Sequence, residues 1–328
     1  MPNPVRRIYR ALKRAALGDS LLPRQFIIGM RDPQTEVAVW LHGLDRPCDV
    51  TSRHVMACLK PLTIGIVFEA DWRVPAGDPL SLRFVEREGS QRLLGEIRLS
   101  GQGVRKEPGG LRLFGIRGSS NYCLSRAQLW AHHLHLAYTR WRARNPDRLT
   151  PREAHSIIVF FICPRPVVLV SVLGHAGGNV FPMNLMGPAG DGLFAFALSS
   201  KRHAAPIVAR AGRLAISNVP LEHAQLAKSL GRNHLKDSID MTRLPFSSRL
   251  SPTLRFPVPE FASRVRELEV QSCEKLGSHT FFLARVLNDA GFSEAPEFFY
   301  VHGIYQAWRA RQRMETNYPP SAARVPAG

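Results

Sequence analysis

The apolar residues of this chain come in short runs, and no other feature constrains its fold as much. None approaches the roughly 18 uncharged residues that a bilayer span requires. The longest candidate, Ile157–Leu173, is interrupted by Pro164, Arg165 and Pro166. It reads as a strand over Ser156–Cys163, a bend, and a second strand over Val167–Leu173. Between residues 24 and 118 the runs are Gln25–Met30, Thr35–His42, Leu62–Glu69, Leu80–Glu86, Arg92–Leu99 and Leu111–Arg117, separated by Gly, Pro, Asp or Ser. Val37, Val39 and Leu41 alternate with Glu36, Ala38 and Trp40, and Leu80, Leu82 and Phe84 with Ser81 and Arg83. Such alternation predicts half-buried antiparallel strands in a small sandwich or barrel. No motif in this first part points to a chemistry.

Helical spacing occurs at two places in the first half. Residues 4–17 carry Val5, Ile8, Leu12, Ala15 and Ala16 among basic residues. They read as a helix packed on its own domain rather than lying on an anionic membrane. In Ser125–Asn145, Ala127, Trp130, Leu134, Ala137, Tyr138 and Trp141 recur at spacings of three and four. Ser125 is a candidate N-cap and Asn145-Pro146 a stop. His132, His133 and His135 on this helix read as exposed polar positions, because no carboxylate or Cys partner accompanies them. Thr150-Pro151-Arg152-Glu153 has the capping-box pattern, expected to start one short turn before the next strand. The polar segment 144–152 is the natural linker. It divides the chain into a β-rich domain over 1–150 with a closing helix over 125–145, a second domain over 151–310, and a disordered tail over 311–328.

Charge and cysteines narrow the function classes. The net charge is +18, but only 7 of the 44 basic residues are Lys, and the arginines are spread along the whole chain. No zinc-finger spacing, RNP-type strand or helix-turn-helix accompanies them, so nucleic acid is not the indicated partner. A basic protein does attract phosphorylated and anionic small molecules. Cys48, Cys58, Cys123, Cys163 and Cys273 form no CxxC pair, which points to free buried thiols, a reducing, cytoplasmic compartment and no metal site. GxGxxG, Walker and GxSxG motifs are absent.

From Ser156 onward the order of elements becomes informative. Pro164-Arg165-Pro166-Val167 leads a strand. Gly174–Gly178 is a turn, and Asn179-Val180-Phe181-Pro182-Met183-Asn184 follows it. After strand Leu193–Leu198 come Ser199-Ser200-Lys201-Arg202, a short helix over His203–Gly212, and a strand over Leu214–Asn218. A helix is expected over Leu221–Leu230. Further on are Pro257–Val270, the Gly277-Ser278-His279 strand and Phe299–Tyr305. Over about 156–307 this order resembles the flavin reductase-like family. The resemblance implies a C-terminal FMN-binding split β-barrel, so that the whole chain is mainly β with flanking helices. Two motifs depart from the family: Gly190-Asp191-Gly192 stands where Asp-Pro-Pro is usual, and Lys201-Arg202-His203 where Lys-Asp-Thr is frequent.

The residues themselves suit FMN. Ser199, Ser200, Lys201 and Arg202 offer hydroxyls, backbone N–H groups and cations ahead of a helix N-terminus, as a phosphate requires. Pro182, Met183, Asn184, Leu185 and Met186 offer an apolar wall with one amide for the ring; Met183 and Met186 equally suit a core. His279 is a candidate nicotinamide or flavin contact, or a structural histidine. Asn233 and His234 are possible rim contacts, and Asn218 reads as structural. The expected function is NAD(P)H-dependent reduction of flavin by an FMN-binding oxidoreductase, with NAD(P)H bound transiently. Electrons would pass to free flavin, oxygen or a partner oxygenase. The resemblance also implies a homodimer with FMN at the subunit interface. The rivals are a non-catalytic FMN-binding electron-transfer protein with an N-terminal docking module, and an anionic-surface or nucleic-acid binder on a degenerate barrel.

Overall fold

The computed structural model describes residues 25–32, 36–73, 79–87, 90–100, 105–143, 149–174 and 177–311. The expected helix over 4–17 and the tail beyond Arg311 lie outside them. After β1 (Gln25–Met30), the first half contains β2 (Val37–His42), β3 (Cys48–Asp49), β4 (His54–Leu59), β5 (Leu62–Val67), β6 (Ser81–Glu86), β7 (Leu93–Leu99), β8 (Arg105–Lys106) and β9 (Leu111–Asn121). Two helices follow, α1 (Arg126–Ala143) and α2 (Pro151–Phe160). The second half contains β10 (Arg165–Pro166), β11 (Val168–Gly174), β12 (Gly177–Met183), β13 (Met186–Gly190), β14 (Leu193–Ser199), α3 (Ala204–Ala211), β15 (Arg213–Asn218) and α4 (Ala224–Ser229). It then continues through β16 (Ser248–Leu250), β17 (Pro257–Pro259), β18 (Arg264–Leu276), β19 (His279–Gly291), β20 (Glu297–His302) and α5 (Gly303–Arg311).

The second half forms an antiparallel sheet in the order β12-β11-β15-β18-β19-β14-β13. Its two edge strands, β12 and β13, are joined by Asn184 and Leu185 alone. Edges so tied must curl together, which makes the sheet a split barrel. Alternate residues fill it: Phe194, Phe196, Leu198, Phe282, Ala284, Met183 and Met186 share one core with Val170 and Ile216. The first half repeats this plan. Its sheet runs β3-β2-β6-β7-β9-β5-β4, with β8 added to β9, and residues 50–53 join the edges β3 and β4. When the seven strands of each barrel are counted in chain order, both sheets read 2-1-5-6-7-4-3.

The two barrels meet through equivalent strands. β4 packs on β13, β14 and β19, and β5 on β13. Ala195, Ala197, Phe281 and Leu283 point out of the second barrel and are buried in one cluster with Val55 and Ala57 of the first. This is why β4, β5 and β14 are apolar on both faces instead of alternating. Gly190 sits at this seam with φ +81°, and a Cβ there would clash with the carbonyl oxygen of Gly109. The glycine that replaces the family's Asp-Pro-Pro pattern therefore admits the first barrel. Arg165 of the Pro-Arg-Pro motif crosses the same seam. Buried over the Phe160 ring at 4.1 Å, it donates to His54 O at 3.2 Å and meets His54 Nε2. The first and last described elements are clasped too. β1 pairs with β20 in a separate three-stranded sheet with β10, and Arg309 and Tyr305 of α5 bind Glu36.

Several expectations need correction. Ser156–Cys163 is not a strand: the capping box at Thr150 starts a ten-residue helix that runs to Phe160. It packs on β7 and β9, and Ile158, Val159 and Phe160 are buried there. The Leu221–Leu230 helix is broken into a 3₁₀ turn, the six-residue α4 and a second 3₁₀ segment over Leu230–Leu235. α1 forms as expected but is turned over. Trp130, Leu134, Tyr138 and Trp141 face solvent, while His132, His135 and Leu136 are buried. Among the described residues no cluster of His, Cys, Asp and Glu is arranged to hold a metal ion. Four cysteines are buried, but Cys273 is exposed.

Candidate functional site

Ser199 ends β14 opposite His279 at the start of β19. The chain then turns sharply. Ser200 N donates to Ser278 O at 3.0 Å, Arg202 N donates to Ser199 O at 3.1 Å, and Ser200 Oγ lies 3.1 Å from Thr280 Oγ1. α3 starts at Ala204 with no side-chain cap. Among the described residues no backbone oxygen accepts from the N–H groups of Ala204 or Ala205. Lys201 and Arg202 are exposed, and Arg202 makes no ion pair with a described carboxylate. Unmet helix N–H groups, two hydroxyls and a free guanidinium are what a phosphate group binds.

The Pro182–Met186 segment is brought to this loop by His234. Its Nε2 lies 2.8 Å from Pro182 O. A carbonyl only accepts, so Nε2 carries the proton. The backbone oxygen of the same residue accepts from His203 N at 3.0 Å. Asn233 locks the turn to β12. Its Nδ2 donates to Val180 O at 2.8 Å, and its own oxygen accepts from Asn179 Nδ2 at 3.0 Å. Burial, with the Arg202 charge adding to it, pushes His234 down to about 4, so it bridges as a neutral ring. Asn233 is therefore a buried structural residue and His234 a bridge between the two segments. Asn218 is tied to Glu297 at 2.8 Å.

Within the segment the side chains divide. Met183 and Met186 lie in the core of the second barrel and Leu185 in the cluster at the seam. Pro182 and Asn184 are half-buried, and Asn184 makes no side-chain hydrogen bond among the described residues. Its amide is free to meet a polar ring edge.

His279 is the point where the first barrel reaches the site. Its Nδ1 lies 2.9 Å from Ser278 Oγ and 4.0 Å from Cys58 Sγ. Ser278 also binds the β4–β5 turn: its N donates to Lys60 O at 2.7 Å, and its Oγ accepts from Lys60 N at 3.1 Å. Gly277 adopts φ +57° beneath the same turn, and a Cβ there would clash with Lys60 O. Burial and the Arg202 charge bring His279 down to about 4, so it is neutral at physiological pH. Sequence reasoning named His279 but missed Cys58 and Ser278, because their contact spans 220 residues.

Residues 160–309 match the family described as flavin reductase like domain. This decides the family of the second half. Residues 160–309 are a flavin reductase like domain. No curated protein matches the chain. Solved structures similar to the chain include an FMN-binding protein from Thermus thermophilus, at 22% identity over 42% of this chain and 86% of that one, with a TM-score of 0.37. The NADH:FAD oxidoreductase of Streptomyces globisporus is 17% identical over 48% and 95%, with a TM-score of 0.41. The styrene monooxygenase flavin reductase of Pseudomonas putida S12 is 19% identical over 44% and 95%, with a TM-score of 0.36. No described helix is long and apolar enough to cross a membrane.

Proposed function

We propose that the flavin reductase like domain holds FMN between Pro182–Met186 and Ser199–Arg202, and that the protein is an NAD(P)H-dependent flavin oxidoreductase. Electrons would pass to free flavin, oxygen or a partner oxygenase. The observation that carries this is the juxtaposition of the two segments through His234, within the part of the chain that matches the family. Ser199, Ser200, Lys201 and Arg202, with the N–H groups that open α3, bind the phosphate. Pro182 and Asn184 meet the ring, and Met183, Leu185 and Met186 hold that segment rigid from beneath. A bound flavin supplies the hydride and electron-transfer chemistry. His279, kept neutral, offers a hydrogen bond beside it without adding charge, and Ser278 orients its ring. The test is the visible spectrum of the purified protein before and after adding FMN, followed by NADH and NADPH oxidation with free flavin. A yellow protein that oxidises a nicotinamide is expected. A colourless protein that takes up no FMN would refute the proposal.

One observation favours a non-catalytic FMN carrier as second reading. The Lys60 turn of the first barrel is fastened over Ser278 and crowds His279, which restricts access from that side. A yellow protein inert to both nicotinamides would select that reading.

A further inference from the structure

α1 presents an apolar stripe to solvent: Trp130 is 67% exposed, Leu134 50% and Trp141 76%. Large apolar side chains displayed together on one face mark a place where something binds. Beneath the N-terminal part of this stripe lies a cleft of about 500 Å³ between α1, α2 and strands β7 and β9. It contains none of the residues assigned to FMN.

The lining has two characters. Trp130, Leu134 and Ala137 form an apolar wall. Arg98 and Arg152 line it as well. The Nη2 atoms of both lie 3.2 Å from the point where a Cβ would stand at Gly118, so they lie within twice that distance of each other. Neither makes an ion pair or hydrogen bond with a described residue. Two guanidiniums held together without a carboxylate from a described residue repel each other unless an anion joins them. The inner end of the cleft carries His155, 4% exposed, whose Nδ1 has no hydrogen-bond partner among the described residues. Burial first, then His133 and His132, push this ring down to about 3, so it faces the cleft as a neutral hydrogen-bonding group.

We propose that this cleft binds a small aromatic anion, its ring against Trp130 and Leu134 and its carboxylate or phosphate between Arg98 and Arg152. The volume suits a molecule of one or two rings. The forked guanidiniums match either anionic group in a bidentate manner. The site is separate from the flavin loop and does not depend on the flavin assignment.

The test is titration calorimetry on the full chain with three probes: 1-naphthoate, 1-naphthyl phosphate and the neutral 1-naphthalenemethanol. Saturable one-to-one binding of at least one anion is expected, and the stronger of the two identifies the anionic group. Arg98→Gln and Arg152→Gln should each weaken the anion about tenfold and leave the neutral alcohol unchanged. Trp130→Ala should weaken all three probes. All these side chains lie at the surface, and circular dichroism with thermal melts checks that the variants fold. FMN uptake, read at visible wavelengths in the same samples, should not change. Loss of FMN uptake alone would count against the flavin site and not against this one. The proposal is overturned if neither anion saturates up to about 1 mM, or if anion binding is indifferent to both arginine substitutions. It is equally overturned if Trp130→Ala abolishes a concentration-dependent self-association while probe binding is absent, which would make the stripe an interface between copies.

Discussion

Arg202 and His279 divide the work of the candidate site by charge. Arg202 is exposed at the turn that would hold the phosphate, and its charge is one reason His279 stays neutral. Arg202→Gln should weaken FMN about tenfold, roughly 1.4 kcal/mol, and leave riboflavin, which lacks the phosphate, unaffected. Equal losses for the two flavins in a fluorescence-quenching titration would show that Arg202 does not meet the phosphate. The buried histidines make a second prediction. His155 and His302 are held near 3 and His234 and His279 near 4, all mainly by burial, and His54 is pushed well below its usual value by burial and Arg165. In the unfolded chain these rings titrate near about 6.5. Above that value both states are neutral and the full stability is present. Below it the unfolded chain takes up protons that the folded chain refuses, so stability falls with pH. The melting temperature should drop between about pH 7 and about pH 5, and less so in His302→Gln. A flat profile over that window would contradict the burial of these rings. Pro182, the Ser199–Arg202 turn and His279 could be put forward from the sequence because a local motif marks each. The bridging role of His234, read only as a rim contact, and the place of Cys58 were not visible, because they arise from contacts 52 and 221 residues away along the chain.

At the level of elements, sequence signals conflict and tertiary context decides between them. The stretch Ser156–Phe161 is rich in β-branched and aromatic residues, yet its N-terminal half is committed to helix by the Thr150 box. Glu153 N donates to Thr150 Oγ1 at 3.1 Å, and Thr150 N donates to Glu153 Oε2 at 2.7 Å. Propensity is a weak prior once a helix is capped and buried on several sides. Thr150→Ala removes one acceptor of the box and should cost about 1 kcal/mol, read as a lower urea midpoint with unchanged slope. FMN uptake should not move, because α2 lies away from the Ser199–Arg202 turn. An unchanged midpoint would mean that packing alone holds the helix. In α1 the helical period was legible, but the period cannot say which way a helix faces. Histidines on the inner side and tryptophans on the outer invert the usual rule, and the cleft beneath the outer face gives that inversion a use.

The architecture of the whole molecule was half legible. The second barrel was announced by its motifs. The first was recognisable only as short alternating strands, because no motif in it marks the strand order. Its strand order repeats that of the second barrel, and third and fourth strands meet third and fourth strands at the seam. Such self-complementary contact is how two copies of one subunit pair, here built into a single chain. The pairing is unequal where chemistry matters. After its fourth strand the second barrel has Ser200-Lys201-Arg202, whereas the first has Phe68-Glu69-Ala70-Asp71, and Glu69 is engaged by Arg53. Two carboxylates in place of two cations would repel a phosphate. The chain should therefore carry one flavin, in the second barrel, and need no second copy to complete it. Sedimentation combined with absorbance at the flavin band should find a 36.7 kDa particle with one FMN per chain. Two flavins per chain would show that the first barrel binds as well. A stable dimer that releases its flavin on dilution into monomers would show that the inner pairing of barrels does not replace a subunit interface.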